Sequence, residues 1–417
     1  MHDRDGPGEL YDPKHAPVLF TLVCRKWRDT ALSTAKLWTN LWLPRPPREL
    51  GALQLYINAV KEVISTSSSQ SYSSALLEHA YRWESVYIYF GDQDPSLSVF
   101  DGIGETSFPI LKSFEIRDSY GPVSHSLTRA LKAAPNLHTV SIGHAILDDS
   151  WTLPWSNLSS IVLSIQAGSE QVEQRLDMEF FVFAMSTCTR LRSLRLSFGF
   201  GYWVVGERDI ILASKSATVP SLESLVLEMD LTSITPLFAK ALILPNLRFL
   251  AFHVDDDLWG YDCWERFVEF VQHFSSTLED LSLYKMPLDE EQLIELLTKF
   301  PRLARLRLSA TKYLTYWDML FRYLCSQTCP NILLEELIID RPWRSDTCEW
   351  GYKALVEMVK SRRTGQLGSG ASECSQLLSL HLLSEDATRM EQGNPEEYAK
   401  LMQLIEQGLK LTTSPES

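Results

Sequence analysis

The sequence predicts an α/β solenoid: a parallel sheet of short strands backed by helices, made by repeating one strand–loop–helix unit. Three observations predict it. A phrase L-x-x-L-x-L, with an apolar residue in each L place, recurs down most of the chain. The copies are spaced by about 29 residues on average, a period in the range that marks solenoids. Amphipathic stretches and single prolines fall between the copies.

The cleanest copy is Leu191/Leu194/Leu196. Leu222/Leu225/Leu227, Leu247/Leu250/Phe252, Leu278/Leu281/Leu283 and Leu303/Leu306/Leu308 match it closely. Less regular copies are Leu111/Phe114/Ile116, Leu137/Val140/Ile142, Leu158/Ile161/Leu163, Leu334/Leu337/Ile339 and Leu377/Leu380/Leu382, and Trp83/Val86/Ile88 is an early one. These eleven copies predict eleven parallel strands. The last two apolar places of a copy are two residues apart, so they share the core side of a strand. The alternate residues face the open side.

Residues 263–275 and 289–300 carry apolar side chains at helical spacing. Asp289, with Gln292 three places on, is a helix start signal. Pro109, Pro135, Pro220, Pro245 and Pro301 stand shortly before strands, where a residue that cannot continue a helix restarts extended chain. Residues 394–411 read as a closing helix with Pro395 in its first turn. Residues 65–74 are a serine-rich link, and 361–376 read as a flexible insertion. The expected division is a helical module over 1–45, a helical connector over 46–82, the solenoid with its closing helix over 83–411, and a disordered tail over 412–417.

The repeat resembles the leucine-rich-repeat family, in its long helix-bearing class, over residues 83–384. That resemblance implies a horseshoe with a parallel sheet on one side. The family places an asparagine or cysteine three residues after the last motif leucine. Here those places hold Ser119, Gly199, Asp230, Asp255 and Met286, so the turn after the strand satisfies its backbone differently.

A chain of 417 residues with 45% hydrophobic and 22% charged residues is ordinary for a globular protein. The net charge of −14 argues against bulk affinity for nucleic acid or an acidic membrane. The polar opening MHDRDGPGEL is not a signal peptide, and no apolar run is of membrane-spanning length. Seven scattered cysteines form no disulfide framework. Cys325 and Cys329, four apart on an expected helix, lack the further ligands of a zinc site and read as buried thiols. The expected compartment is therefore reducing: cytoplasmic, nuclear or both. The triplet at Asn157 leads into a strand and reads as chance.

Residues 16–32 form an amphipathic stretch, with Leu19, Leu22, Val23 and Trp27 apolar, and Leu37 and Trp38 follow the Ser33-Thr34 break. Physically this is a small helical module with Cys24, Trp27 and Trp38 in its core. Asp12-Pro13, Ala16-Pro17, Val23-Cys24, Trp27-Arg28, Ala31-Leu32-Ser33-Thr34 and Leu37-Trp38 also resemble the latter half of the F-box-like module in the form abundant in mushroom-forming fungi. The family's leading Leu-Pro-x-Glu-Ile-Leu segment is not matched in the eleven residues before Asp12. The resemblance implies docking onto the Skp-family adaptor of a Skp–cullin–F-box ubiquitin ligase, with the repeats recruiting a protein substrate. It implies no active site and no cofactor. The other reading is a repeat-based interaction protein independent of ubiquitin ligases.

No catalytic pattern stands out. There is no P-loop and no HExxH, the histidines are scattered, and Asp255-Asp256-Asp257 reads as a solvated loop rather than a metal site. Candidate binding residues therefore come from the open face and the loops. The open-face positions include Glu115, Arg117, Arg195, Glu228, Asp280, Arg305, Arg307, Glu336 and Asp340. Arg305 falls between Asp280 and Glu336, which suggests a salt-bridge ladder. Arg307 falls between Ser282 and Ile338, without a side-by-side carboxylate, and is a candidate for an acidic or phosphorylated ligand. Trp151, Trp203, Trp259, Trp343 and Trp350 lie in loops, several beside glycine. They are either interface anchors or packing over the edge of the sheet.

Overall fold

Each copy of the phrase becomes a strand because its last two apolar side chains are buried on the same side of extended backbone. In the third copy from the C-terminal end, Leu306 and Leu308 are fully buried while Arg305 and Arg307 alternate with them on the exposed side. The computed structural model describes residues 40–43, 80–89, 103–117, 125–143, 151–165, 178–198, 216–228, 242–254, 261–309, 317–326, 329–331, 333–340, 351–364 and 375–414. It divides into two units, Met1–Gly201 and Tyr202–Ser417.

The first unit holds β1 (Asn40–Leu43), β2 (Ser85–Tyr89), β3 (Ser113–Arg117), β4 (Thr139–Gly143), β5 (Ser160–Ile165) and β6 (Ser193–Phe198), with α1 (His125–Ala133) after β3 and α2 (Met178–Thr187) after β5. Each strand pairs in parallel with the next. The register keeps equivalent motif places side by side: Val86, Phe114, Val140, Ile161 and Leu194 form one row, each at most 1% exposed.

The second unit begins with a two-stranded pair, β7 (Ala217–Thr218) and β9 (Leu242–Ile243), which flanks β8 (Ser224–Glu228) in sequence. Then come β10 (Phe249–His253), α3 (Tyr261–Gln272), β11 (Asp280–Tyr284), α4 (Glu290–Thr298), β12 (Arg305–Ser309), α5 (Asp318–Leu324), β13 (Glu336–Asp340), α6 (Tyr352–Thr364), β14 (Ser379–Leu383), α7 (Ser384–Gly393), α8 (Pro395–Glu406) and β15 (Lys410–Ser414). From β8 through β15 the strands pair in parallel, and Leu225, Leu250, Leu281, Leu306, Leu337 and Leu380 stack in one fully buried row. Burying one such side chain contributes roughly 1.5–3 kcal/mol. The fold is thus α/β, with sequential parallel strands and helices between them. The last two apolar places of all eleven motif copies lie on strands.

Backbone hydrogen bonds repeat with the motif. The residue after the first motif place bonds to its equivalent one strand earlier: Ser159 N–H donates to His138 C=O (2.8 Å), Glu279 to Arg248 (2.9 Å) and Ala304 to Glu279 (2.8 Å). Asn136 and Asn246, each following one of the marker prolines, donate through Nδ2 to Pro109 C=O and Pro220 C=O at 2.8 Å. Asparagine thus bridges successive copies at the start of the strand, not after it. The expected start of α4 is present: Asp289 accepts from Gln292 N–H at 2.8 Å, and the Gln292 side chain reaches back to Asp289 N–H.

The ends differ from expectation. Residues 40–43 are a strand paired to β2, not part of a helical module. Trp38/Leu41/Leu43 has the spacing of the phrase, so a twelfth copy was legible. At the other end the closing helix stops at Glu406, and residues 410–414 pair in parallel with β14 where the last helical residues to 411 and a disordered tail from 412 were expected. The cause is Gly408, which takes φ +97°. Its N–H bonds to Ile405 C=O, and Leu409 N–H bonds back to Leu404 C=O, the paired closure that ends helices at a left-handed glycine. The expected insertion from 361 also starts too early, because α6 runs to Thr364. Cys325 caps the end of α5, and no common helix carries it with Cys329. Burial pushes the Cys325 thiol up to about 11 and raises that of Cys329. Beyond β1, the expected module over 1–45 lies outside the described residues, as does the connector up to Ala80. Among the described residues no helix is long and apolar enough to cross a membrane.

Two buried polar side chains brace the second unit. Asn331, fully buried, donates through Nδ2 to Leu297 C=O (3.0 Å) and Phe300 C=O (2.6 Å) just past the end of α4. Arg362 of α6, also fully buried, donates through Nε to Leu324 C=O at the end of α5 (3.0 Å) and through Nη1 to Asn331 C=O (2.9 Å). A cation at a helix C-terminus meets the negative end of the helix dipole.

Asn331→Ala strips Leu297 C=O and Phe300 C=O of a buried donor, so urea unfolding should show a loss of about 1–3 kcal/mol. A second expectation concerns Asp386 in the first turn of α7. It is 2% exposed, its Oδ2 has no hydrogen-bond partner among the described residues, and burial pushes its pKa up to about 6. The folded state therefore holds the proton more tightly than the unfolded chain, and stability falls as pH rises from about 4 to about 6. Relative to the parent, Asp386→Asn should gain roughly 2–3 kcal/mol between pH 4 and pH 7. An unchanged difference across that range would show that Asp386 has the same pKa in the folded and unfolded states.

Candidate functional site

The open side of a strand is set by the motif: the residues before, between and after its last two apolar places. In the first unit the place before them is held by small hydroxyls, while Glu115, Arg117 and Arg195 stand at the other two places. Ser85, Ser113, Thr139, Ser160 and Ser193 form one lateral row. In the second unit the equivalent row reads Ser224, Phe249, Asp280, Arg305, Glu336, Ser379 and Lys410. Charge on the open side is thus concentrated on β11 to β13, and this is the candidate site.

The register places Arg305 between Asp280 and Glu336, and Arg307 between Ser282 and Ile338, as the motif spacing predicted. Arg305 Nε donates to Asp280 Oδ2 at 2.7 Å. Burial raises the Asp280 pKa, with the Arg305 hydrogen bond and charge pulling it back only in part. The bond holds the Arg305 guanidinium against β11 and raises its pKa in turn. Glu336 adds its charge on the other flank.

Arg307 corrects the sequence reading. It lacks a lateral carboxylate, but its Nε lies 3.5 Å from Asp340 Oδ2. Asp340 is two residues beyond Ile338 on β13, so the contact is diagonal, within reach of a long side chain. The other oxygen of Asp340 lies 3.2 Å from His381 Nε2, and His381 Nδ1 lies 2.7 Å from Thr412 Oγ1 on β15. A polar chain therefore crosses four strands: Arg307, Asp340, His381, Thr412. A second short chain lies on β8, β10 and β11, where Glu228 approaches His253 Nδ1 at 3.3 Å and the His253 and Tyr284 rings stand 5.1 Å apart. Between the two chains the sheet surface is low, because Ala251, Ser282 and Ser309 are small and at most 8% exposed.

His253, Tyr284, Ser309, His381 and Thr412 were missed by sequence reasoning. The signal was available for the first three. Glu228, His253, Tyr284, Ser309 and Asp340 each follow the last motif place of their copy, so they form one lateral row. Of the loop tryptophans, Trp151 is 1% exposed and belongs to the packing. Trp203, Trp259, Trp343 and Trp350 lie outside the described residues, as do Leu19, Leu22, Val23, Cys24, Trp27, Leu37 and Trp38. Among the described residues no group of His, Cys, Asp and Glu could hold a metal ion. No protein-family model matches the chain, and no curated protein matches it either.

These surface pairs should be weak in stability terms. For Arg307→Ala, Asp340→Ala and the double variant, the coupling energy from urea unfolding should stay below about 1 kcal/mol, as for half-exposed ion pairs elsewhere. A larger coupling would make the pair a structural clamp and remove its orienting role.

Proposed function

We propose that the chain is the substrate-recognition subunit of a Skp–cullin–F-box type ubiquitin ligase. Its N-terminal module would dock the Skp-family adaptor and its leucine-rich repeats would hold a protein substrate. One observation carries the reading: an F-box-like run of residues, Asp12-Pro13 through Leu37-Trp38, leads directly into a long series of parallel strands. The parallel strands support the repeat half of the reading. Their charged open face in the second unit offers a surface of the kind that binds rather than catalyses.

The division of labour follows from the chemistry of each part. Leu19, Leu22, Val23, Cys24, Trp27, Leu37 and Trp38 are apolar or weakly polar and suit a dry contact with the adaptor. Arg305, Arg307 and the carboxylates and histidines around them suit recognition by charge and hydrogen bonding. Trp203, Trp259 and Trp343 would supply aromatic anchors from the loops.

Co-precipitation with a Skp-family adaptor tests the reading. It is run on this chain and on a form carrying a Leu-Pro-x-Glu-Ile-Leu segment ahead of Asp12. The extended form should capture the adaptor, and Trp27→Ala should weaken capture by about tenfold or more if Trp27 is an anchor. Capture by neither form rejects the receptor reading, leaving a repeat protein that binds partners outside ubiquitin ligases.

A further inference from the structure

We infer that β15 is the contact through which two copies of this chain pair, its outer edge lying antiparallel against the same edge of the second copy about a twofold axis at Thr412. This goes beyond the proposed function and does not rest on it.

β15 closes the strand order of the second unit, and among the described residues no strand pairs with its far side. Lys410 N–H donates to Leu378 C=O at 2.9 Å, so Lys410, Thr412 and Ser414 turn their backbone toward β14, while Leu411 and Thr413 turn theirs outward. The core side is also left open at this strand. The leucine row that is fully buried as far as Leu380 continues into Leu411, which is only half-buried, and Thr413 is exposed. Sheets usually blunt such an edge with proline, a bulge or several charges. Residues 410–414 hold no proline, pair with β14 without a bulge, and carry one charge, Lys410, at their start. The edge is also held ready. Arg363 Nη2 bonds to Gln407 C=O ahead of the strand, the Gly408 turn sets its start, and Thr412 Oγ1 meets His381 Nδ1 at 2.7 Å. A strand fixed in this way loses little entropy when it pairs.

The order of these residues picks a second copy as the occupant, because the edge is complementary to itself. Placed antiparallel about Thr412, Leu411 of one copy faces Thr413 of the other, and their outward-turned backbones exchange both hydrogen bonds. The twofold repeats that exchange on the other side of the axis. Thr412 faces its own copy with about 4.5 Å between Cα atoms, in a non-hydrogen-bonded pair where threonine–threonine contacts are favourable. Each half-buried Leu411 gains the methyl group of the Thr413 opposite it. Lys410 faces the Ser414 position, and the two lysines start roughly 14 Å apart, beyond the screening length at physiological salt. No like charges meet across the edge. A contact of this symmetry closes at two copies and does not propagate. Each copy carries −14, so bulk repulsion opposes the pairing and keeps the dimer weak.

Sedimentation velocity of the full chain at rising concentration reads the association. A monomer–dimer equilibrium should appear, with a Kd on the order of 10–100 μM. Thr413→Pro removes an outward N–H and leaves the bonds to β14 in place. It should raise the Kd about tenfold or more, with thermal unfolding close to the parent's. Thr412→Cys gives a second reading. With glutathione disulfide as oxidant, the two introduced thiols on the axis join as one disulfide between the copies, and their protons and electrons leave on two molecules of reduced glutathione. Thr412→Cys should therefore yield a covalent dimer that the parent and Thr413→Cys do not, because residue 413 stands off the axis. A parent chain that stays monomeric up to about 300 μM overturns the inference and leaves the edge to a strand of a different protein. A dimer that Thr413→Pro leaves intact also overturns it, by placing the contact on another surface. So does failure of Thr412→Cys to cross-link. Adaptor capture is read through residues 12–38 and pairing through β15, so the ligase reading stands or falls separately.

Discussion

The second unit depends on one constraint: its parallel strands pair in register, so that equivalent motif places lie side by side. Leu225, Leu250, Leu281, Leu306, Leu337 and Leu380 can pack as one row only if every strand is held at the same height. A slip of one residue would turn each leucine outward and each arginine or aspartate inward. The penalty for burying an unpaired charge, added to the loss of apolar burial, makes that slip prohibitive. The same register then sets which open-face side chains can meet. Arg305 reaches Asp280 because the two are direct lateral partners.

The helices obey a different rule. Each has terminal carbonyls that no further turn can satisfy, and in the second unit these ends are buried. Asn331 and Arg362 supply the missing donors to the ends of α4 and α5. Neither could be replaced by an apolar residue of the same size without leaving buried carbonyls unpaired. Asparagine thus has a recurring part in joining successive copies. It acts before the strand at Asn136, Asn246 and Asn331, not three residues after the motif.

Open-face chemistry differs between the units although the motif is the same. The first unit presents mainly serine and threonine at the place before the last two motif residues, with Glu115, Arg117 and Arg195 as its charged open-face residues. The second presents arginine, aspartate, glutamate, histidine and tyrosine across adjacent strands. Long side chains at a lateral spacing of about 4.8 Å interact with one another as well as with a ligand. They are oriented in advance, which lowers the entropy lost on binding. The carboxylates beside Arg305 and Arg307 fix where those two guanidiniums stand on the open face.

The sequence by itself determined the strands, their order and the face each residue takes, because all three follow from a two-residue alternation repeated at a fixed period. It determined the lateral neighbours of Arg305 and Arg307 for the same reason, and the start of α4 from Asp289 and Gln292. Only the tertiary structure decided which contacts run diagonally. Arg307 meets Asp340 through the length and rotamer of its side chain, and no motif position encodes that. Tertiary structure also decided the ends. In β15 only Leu411 is apolar among its motif places, and pairing with β14 outweighs that weak local pattern. The roles of Asn331 and Arg362 were likewise hidden. Asparagine and arginine in a polar stretch look solvated until the helices they cap are packed against them, and burial of those helix ends is a long-range property of the fold.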